Sequence, residues 1–86
     1  MNEVIVINEE CHGFIGIARD VPSAIDFLYE KDWLWGKTEI LIAPNEWRTV
    51  EDAFGKNWKA YLEMLPLSML ADIFEGCFYF HKEIVH

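Results

Sequence analysis

The chain is expected to fold as one α+β domain: a four-stranded, mainly antiparallel sheet with three to four helices packed on one face, in the order β-β-α-β-α-α-α-β. Three observations predict this. Glu3-Val4-Ile5-Val6-Ile7-Asn8 near the start and Cys77-Phe78-Tyr79-Phe80-His81-Lys82-Glu83-Ile84-Val85 near the end are β-branched and aromatic runs of strand length. Ala24, Phe27 and Leu28 recur at the i, i+3, i+4 spacing of a buried helix face. Between residues 49 and 76, Thr49, Gly55, Asn57, Pro66, Ser68 and Gly76 punctuate three further short helices.

The first strand, residues 3–8, is apolar enough to be central and covered on both faces. After Glu9-Glu10-Cys11-His12, the segment Phe14-Ile15-Gly16-Ile17-Ala18 lies within hairpin range, so the two strands should pair antiparallel across a turn of four or five residues. Asp20 and Ser23 are alternative N-caps for a helix that runs to about Lys31, with Ile25 joining its buried face and Asp26 and Glu30 turned to water. Asp32-Trp33-Leu34-Trp35-Gly36-Lys37 reads as a loop, followed by a third strand, Thr38-Glu39-Ile40-Leu41-Ile42-Ala43, which Pro44 and Asn45 stop. Thr49, with Asp52 three residues on, caps a short helix closed by Gly55. Asn57 caps a second helix that ends near Pro66, and Ser68 a third that Gly76 closes. Strand order does not follow from local periodicity, because the last strand returns to the sheet only after three helices.

With 86 residues there is room for one hydrophobic core and hence one domain. The N-terminus Met1-Asn2-Glu3 lacks the basic stretch of a signal peptide, and no apolar run approaches the roughly 20 residues that span a bilayer. A cytoplasmic protein is expected, without membrane association and with Cys11 and Cys77 reduced. Hydrophobic residues make up 52% of the chain, a generous supply for so small a core, so some should remain outside as a homodimer interface or a docking patch.

The net charge of −8 opposes direct nucleic-acid binding, which needs clustered Lys and Arg; the seven here are scattered. The acids either keep the protein soluble or imitate DNA in another protein's basic groove, and the sequence offers only short pairs such as Glu9-Glu10 and Glu51-Asp52 for the second role.

Cys11, His12, Cys77 and His81 are the candidates for catalytic or metal chemistry, as a small Cys/His hydrolase or a metal site. Residues four apart on a strand lie about 13 Å from each other, too far for Cys77 and His81 to share a zinc ion. A Cys–His hydrolase would need a third orienting group and an oxyanion loop, and no such motif is present. Gly13 and Gly16 lack the helix start and Lys-Ser/Thr pair of a phosphate cradle and are better read as packing or bulge positions. The expectation is therefore no enzyme, no metal and no cofactor. His86, the last residue, is expected to fray.

Four tryptophans in so short a chain are the most informative feature. Trp33, Trp35 and Trp47 fall in or beside loops, and large rigid rings make good interface anchors, so Trp33, Leu34, Trp35 and Trp47 are the candidate protein-binding residues. The alternative places Trp33 and Trp47 as plugs at the ends of the core, with Trp58 facing the sheet. The segment His12-Gly13-Phe14-Ile15-Gly16-Ile17-Ala18-Arg19-Asp20, with Ser23-Ala24-Ile25-Asp26-Phe27-Leu28 and Trp33-Leu34, resembles small uncharacterised proteins from phages and prophages of Gram-positive bacteria. The resemblance covers the first forty or so residues and implies no activity. It implies a stand-alone binder, a modulator that redirects or inhibits a host protein.

Overall fold

In a computed structural model, which describes residues 2–85, the chain is α+β with five strands in two separate antiparallel sheets and four helices. The terminal His86 lies outside the described residues. Strand β1 (Asn2–Glu9) is central, flanked by β2 (Gly13–Ala18) and β5 (Phe78–Val85) in the order β2-β1-β5. The second sheet is a hairpin of β3 (Glu39–Ala43) and β4 (Glu46–Thr49). Helix α1 (Val21–Glu30) connects the first hairpin to the second, and α2 (Val50–Phe54), α3 (Trp58–Glu63) and α4 (Leu67–Ile73) precede β5.

The single four-stranded sheet expected from the sequence is thus corrected to a three-stranded sheet and a separate hairpin. β5 pairs with β1 over its whole length, from Asn2 opposite Val85 to Glu9 opposite Phe78, and takes the remaining edge of β1. No edge beside β1 is left for β3. Pro44 and Asn45 do not simply stop that strand but turn it back on itself: Ala43 pairs with Glu46, and Asn45 adopts φ +61° at the second corner after proline has set the first. The element order becomes β-β-α-β-β-α-α-α-β, and Trp47 lies on a strand.

Local signals were more dependable. The Asp20 carboxylate accepts from the Ser23 N–H (2.9 Å) and caps α1, with Pro22 in the first turn and Lys31 at the other end. The Thr49 hydroxyl accepts from the Asp52 N–H (3.1 Å), and Gly55 ends α2 with φ +81°. Two expected caps are different. Asn57 precedes α3 without a side-chain cap bond, and α4 starts after Pro66, so that Ser68 lies inside its first turn.

Helix α1 buries Ala24, Ile25 and Leu28, α2 Val50, α3 Trp58 and Leu62, and α4 Leu70, all in one cluster with Ile5 and Ile7 of β1. Trp58 meets Tyr29 of α1 (ring centroids 5.9 Å apart). Because Cβ atoms alternate along a strand, Val4 and Val6 occupy the opposite face of the sheet, together with Ile17, Phe14, Tyr79 and Val85 from the paired strands. Val6 is buried but stands outside the core cluster. The coverage of both faces expected for β1 is therefore corrected to one: the helices pack on its Ile5 and Ile7 face, while Phe14, Ile17, Tyr79 and Val85 stay exposed on the other.

Candidate functional site

The Trp33–Trp35 segment divides between core and surface. After α1, Asp32 takes φ +63° and the N–H groups of Trp33 and Leu34 both donate to the Leu28 carbonyl (2.9 and 3.1 Å), which turns the chain sharply. That turn drives Leu34 inward, where it is 1% exposed and belongs to the core. Leu34 accordingly presents no surface to a partner. Trp33 is half-buried with its ring edge-on to His12 (centroids 5.2 Å apart). Trp35 is 61% exposed, yet its backbone is held at both ends, since its N–H donates to Thr38 Oγ1 and its carbonyl accepts from the Thr38 N–H (3.0 Å each). Trp47 is 47% exposed on β4, paired with Leu41 and with its ring edge close to Gly76. Among the described residues no two of these tryptophan rings stack on one another; the ring partner of Trp33 is His12.

Cys11, His12, Cys77 and His81 have separate surroundings. Glu9 organises the first hairpin turn: its Oε1 accepts from the N–H groups of Cys11 (3.0 Å) and His12 (2.9 Å) and lies 2.6 Å from His12 Nδ1. The His12 contact, followed by the two backbone N–H groups, holds the Glu9 carboxyl below its ordinary range. Cys77 precedes β5 as a half-buried thiol that burial pushes up, with Glu9, Glu10 and Glu39 adding to the shift. Nucleophilic thiols are shifted in the other direction. Cys11 is exposed in the turn, and His81 pairs with Glu83 of its own strand (3.2 Å). Among the described residues no group of three His, Cys, Asp or Glu side chains is arranged to hold a metal ion.

The acids are dispersed and several meet cations. Lys59 bridges Asp26 (2.5 Å) and Glu63 (2.7 Å), which hold its ammonium above the ordinary range, while Lys37 reaches Glu51, Arg48 reaches Glu46 and Lys82 reaches Glu3. Tyr79 donates its hydroxyl to Glu10 and is pushed up by that contact.

Two carboxyls with lowered pKa, Glu9 and Asp20, make a testable link to stability; for Asp20 the main cause is the Ser23 backbone N–H. A carboxyl lowered in the folded state favours folding above its unfolded pKa, and this contribution disappears as pH falls through the folded value. The urea midpoint is therefore expected to be level above about pH 5 and to drop on acidification below about pH 4. Glu9→Gln and Asp20→Asn should each flatten that drop; an unchanged profile in both variants would refute the assignment.

One surface was not read from the sequence. Phe14, Ile17, Tyr79 and Val85 are exposed on the face of the main sheet opposite the helices, with Val4 and Val6 between them. Tyr79, His81, Glu83 and Val85 do alternate along β5, but in β2 a bulge at the step between Ile7 and Asn8 of β1 brings Phe14 and Ile17, three apart, to the same face. The extra residue hides the period of two.

Comparison with known proteins gives no match, whether to a family model, to a curated protein or to a solved structure. No helix among the described residues is long and apolar enough to cross a membrane.

Proposed function

We propose that this chain is a small acidic protein-binding module without catalytic activity, which acts by docking on another protein through exposed tryptophan rings. The observation that carries this reading is Trp35: a large ring, 61% exposed, on a backbone fixed by both of its bonds to Thr38. A pre-set loop loses little conformational freedom on binding, and a rigid aromatic side chain gives a large contact area. Trp47 extends the anchor set from β4, while Trp33 supports its loop against His12 and Leu34 holds it to the core. The resemblance to phage and prophage proteins favours a host protein as the target. The ion pairs along the surface leave fewer free carboxylates for DNA mimicry.

The test is affinity capture from host-cell lysate with wild-type, Trp35→Ala and Trp47→Ala proteins, at low and high salt. A partner retained at high salt and lost at least tenfold with Trp35→Ala is expected, with stability changed by less than about 0.5 kcal/mol because the ring is at the surface. Capture that survives both tryptophan truncations, or that disappears at high salt and responds to charge reversal, would overturn the reading and favour the acidic mimic.

A further inference from the structure

The two edges of the main sheet are unlike. β2 has six residues, starts at a glycine with φ +73° and is bulged against β1, three features that spoil a strand as a template for pairing. β5 has eight residues, no proline or glycine, and an unbroken register with β1. The N–H of Glu10 donates to the Cys77 carbonyl (2.9 Å), in line with the ladder that pairs Glu9 with Phe78. Hydrogen-bonded pairs recur every second residue in an antiparallel ladder, so Tyr79, His81, Glu83 and Val85 turn their backbone groups towards β1. Phe80, Lys82 and Ile84 turn theirs away from the sheet, and among the described residues no other element bonds to them. The end of this edge is also apolar and open, with Ile84 55% and Val85 48% exposed.

We infer that β5 is a self-association edge, on which the β5 strand of a second copy of this chain pairs antiparallel to give one continuous six-stranded sheet, β2-β1-β5-β5-β1-β2, about a two-fold axis at Lys82. The strand is complementary to itself in that register. Phe80 stands opposite Ile84 of the second copy and Tyr79 opposite Val85, both apolar pairs, while His81 stands opposite Glu83, and each pair occurs twice by symmetry. The outward groups of Phe80, Lys82 and Ile84 then form six hydrogen bonds across the axis, by the geometry of hydrogen-bonded pairs. Only the two Lys82 side chains oppose like charges, and each is drawn back across its own sheet to Glu3 (3.3 Å). An open groove of about 500 Å³ runs beside this edge between Pro66, Leu67, Ser68 and Ala71 at the start of α4 and Phe80 and Lys82 of β5. It receives Ile84 of the second copy on the helix side of the sheet. On the other side, the exposed apolar faces of the two copies join.

This inference uses different residues from the Trp35 reading and stands or falls separately. Sedimentation equilibrium of the full chain from micromolar to near-millimolar concentration should show twice the 10.1 kDa of one chain. Ile84→Pro removes an N–H that bonds nothing within the monomer, so it should weaken association at least tenfold with an unchanged far-UV circular dichroism spectrum. His81→Glu, which sets two carboxylates face to face, should weaken it as well, and adding Glu83→Lys should restore it, which keeps the test decisive if proline unfolds the strand. A wild-type monomer at every concentration would overturn the inference. So would a dimer indifferent to Ile84→Pro and His81→Glu, or one lost on Trp35→Ala instead.

Discussion

Replacing Phe74 with alanine is expected to cost about 3–5 kcal/mol, the range for a buried aromatic side chain cut back to a methyl group. A domain of this size has about 5–10 kcal/mol in total, so the variant should lose at least about 15 °C in Tm, measured by circular dichroism, and a large part of its urea midpoint. Phe74 earns this position by joining α4 to β5. Its ring is fully buried and meets Phe78 (centroids 5.5 Å apart) and Phe80 (6.3 Å), both at steep edge-on angles. Its carbonyl accepts from the N–H groups of both Cys77 and Phe78 (2.9 Å each), so the turn into the last strand is built on the same residue. Truncation removes the packing and leaves that turn less fixed. Met69→Ala, on the exposed side of α4, is the control and should change stability by less than about 1 kcal/mol. A loss below about 1 kcal/mol for Phe74→Ala would mean that β5 is held by its ladder with β1 alone.

Gly16→Val is expected to cost about 3 kcal/mol, at the upper end of overpacking. A Cβ at this position would lie 2.4 Å from Cζ and 2.7 Å from Cε2 of Phe27, whose ring lies across the glycine. One of the two must give way. Either β2 shifts against β1, where it is already bulged, or the Phe27 ring swings from its half-buried place towards water and uncovers part of the core. The decisive measurement is the double-mutant cycle with Phe27→Ala: the valine should cost less than about 1 kcal/mol once the ring is gone, since the contact that it violates no longer exists. An equal cost in both backgrounds would place the strain in the β2 backbone and not in the contact with Phe27.

These two residues also mark what can be read locally. Gly16 announces a close approach or a bulge, but not that the body approaching it is Phe27, eleven positions away on α1. Phe74 reads as the end of a helix, yet nothing near it in sequence says that its ring will meet two residues of the next strand. Among the candidate anchors, Trp33, Leu34 and Trp35 look alike as a loop of large apolar residues. The sharp turn after α1 separates them, because Leu34 fills the core while Trp35 stays outside. The β5 edge depends on a fact further still from local pattern, namely which strand occupies the last place beside β1.

By itself the amino-acid sequence determined the α+β class, the antiparallel first hairpin, the central place of β1, and the start and end of a helix whose signals lie within four residues, the Thr49 cap and the Gly55 stop; for the first helix it left Asp20 and Ser23 as alternatives. Such signals work because a cap or a turn is decided by short-range hydrogen bonds and backbone sterics. Only the tertiary structure decided that β5 takes the second edge of β1, that β3 closes on β4 as a separate hairpin, and that Leu34 is inside while Trp35 is outside. Those outcomes compare whole arrangements, in which the burial and ladder bonds gained by one pairing compete with every other pairing of the same strands, and no window of a few residues contains that comparison.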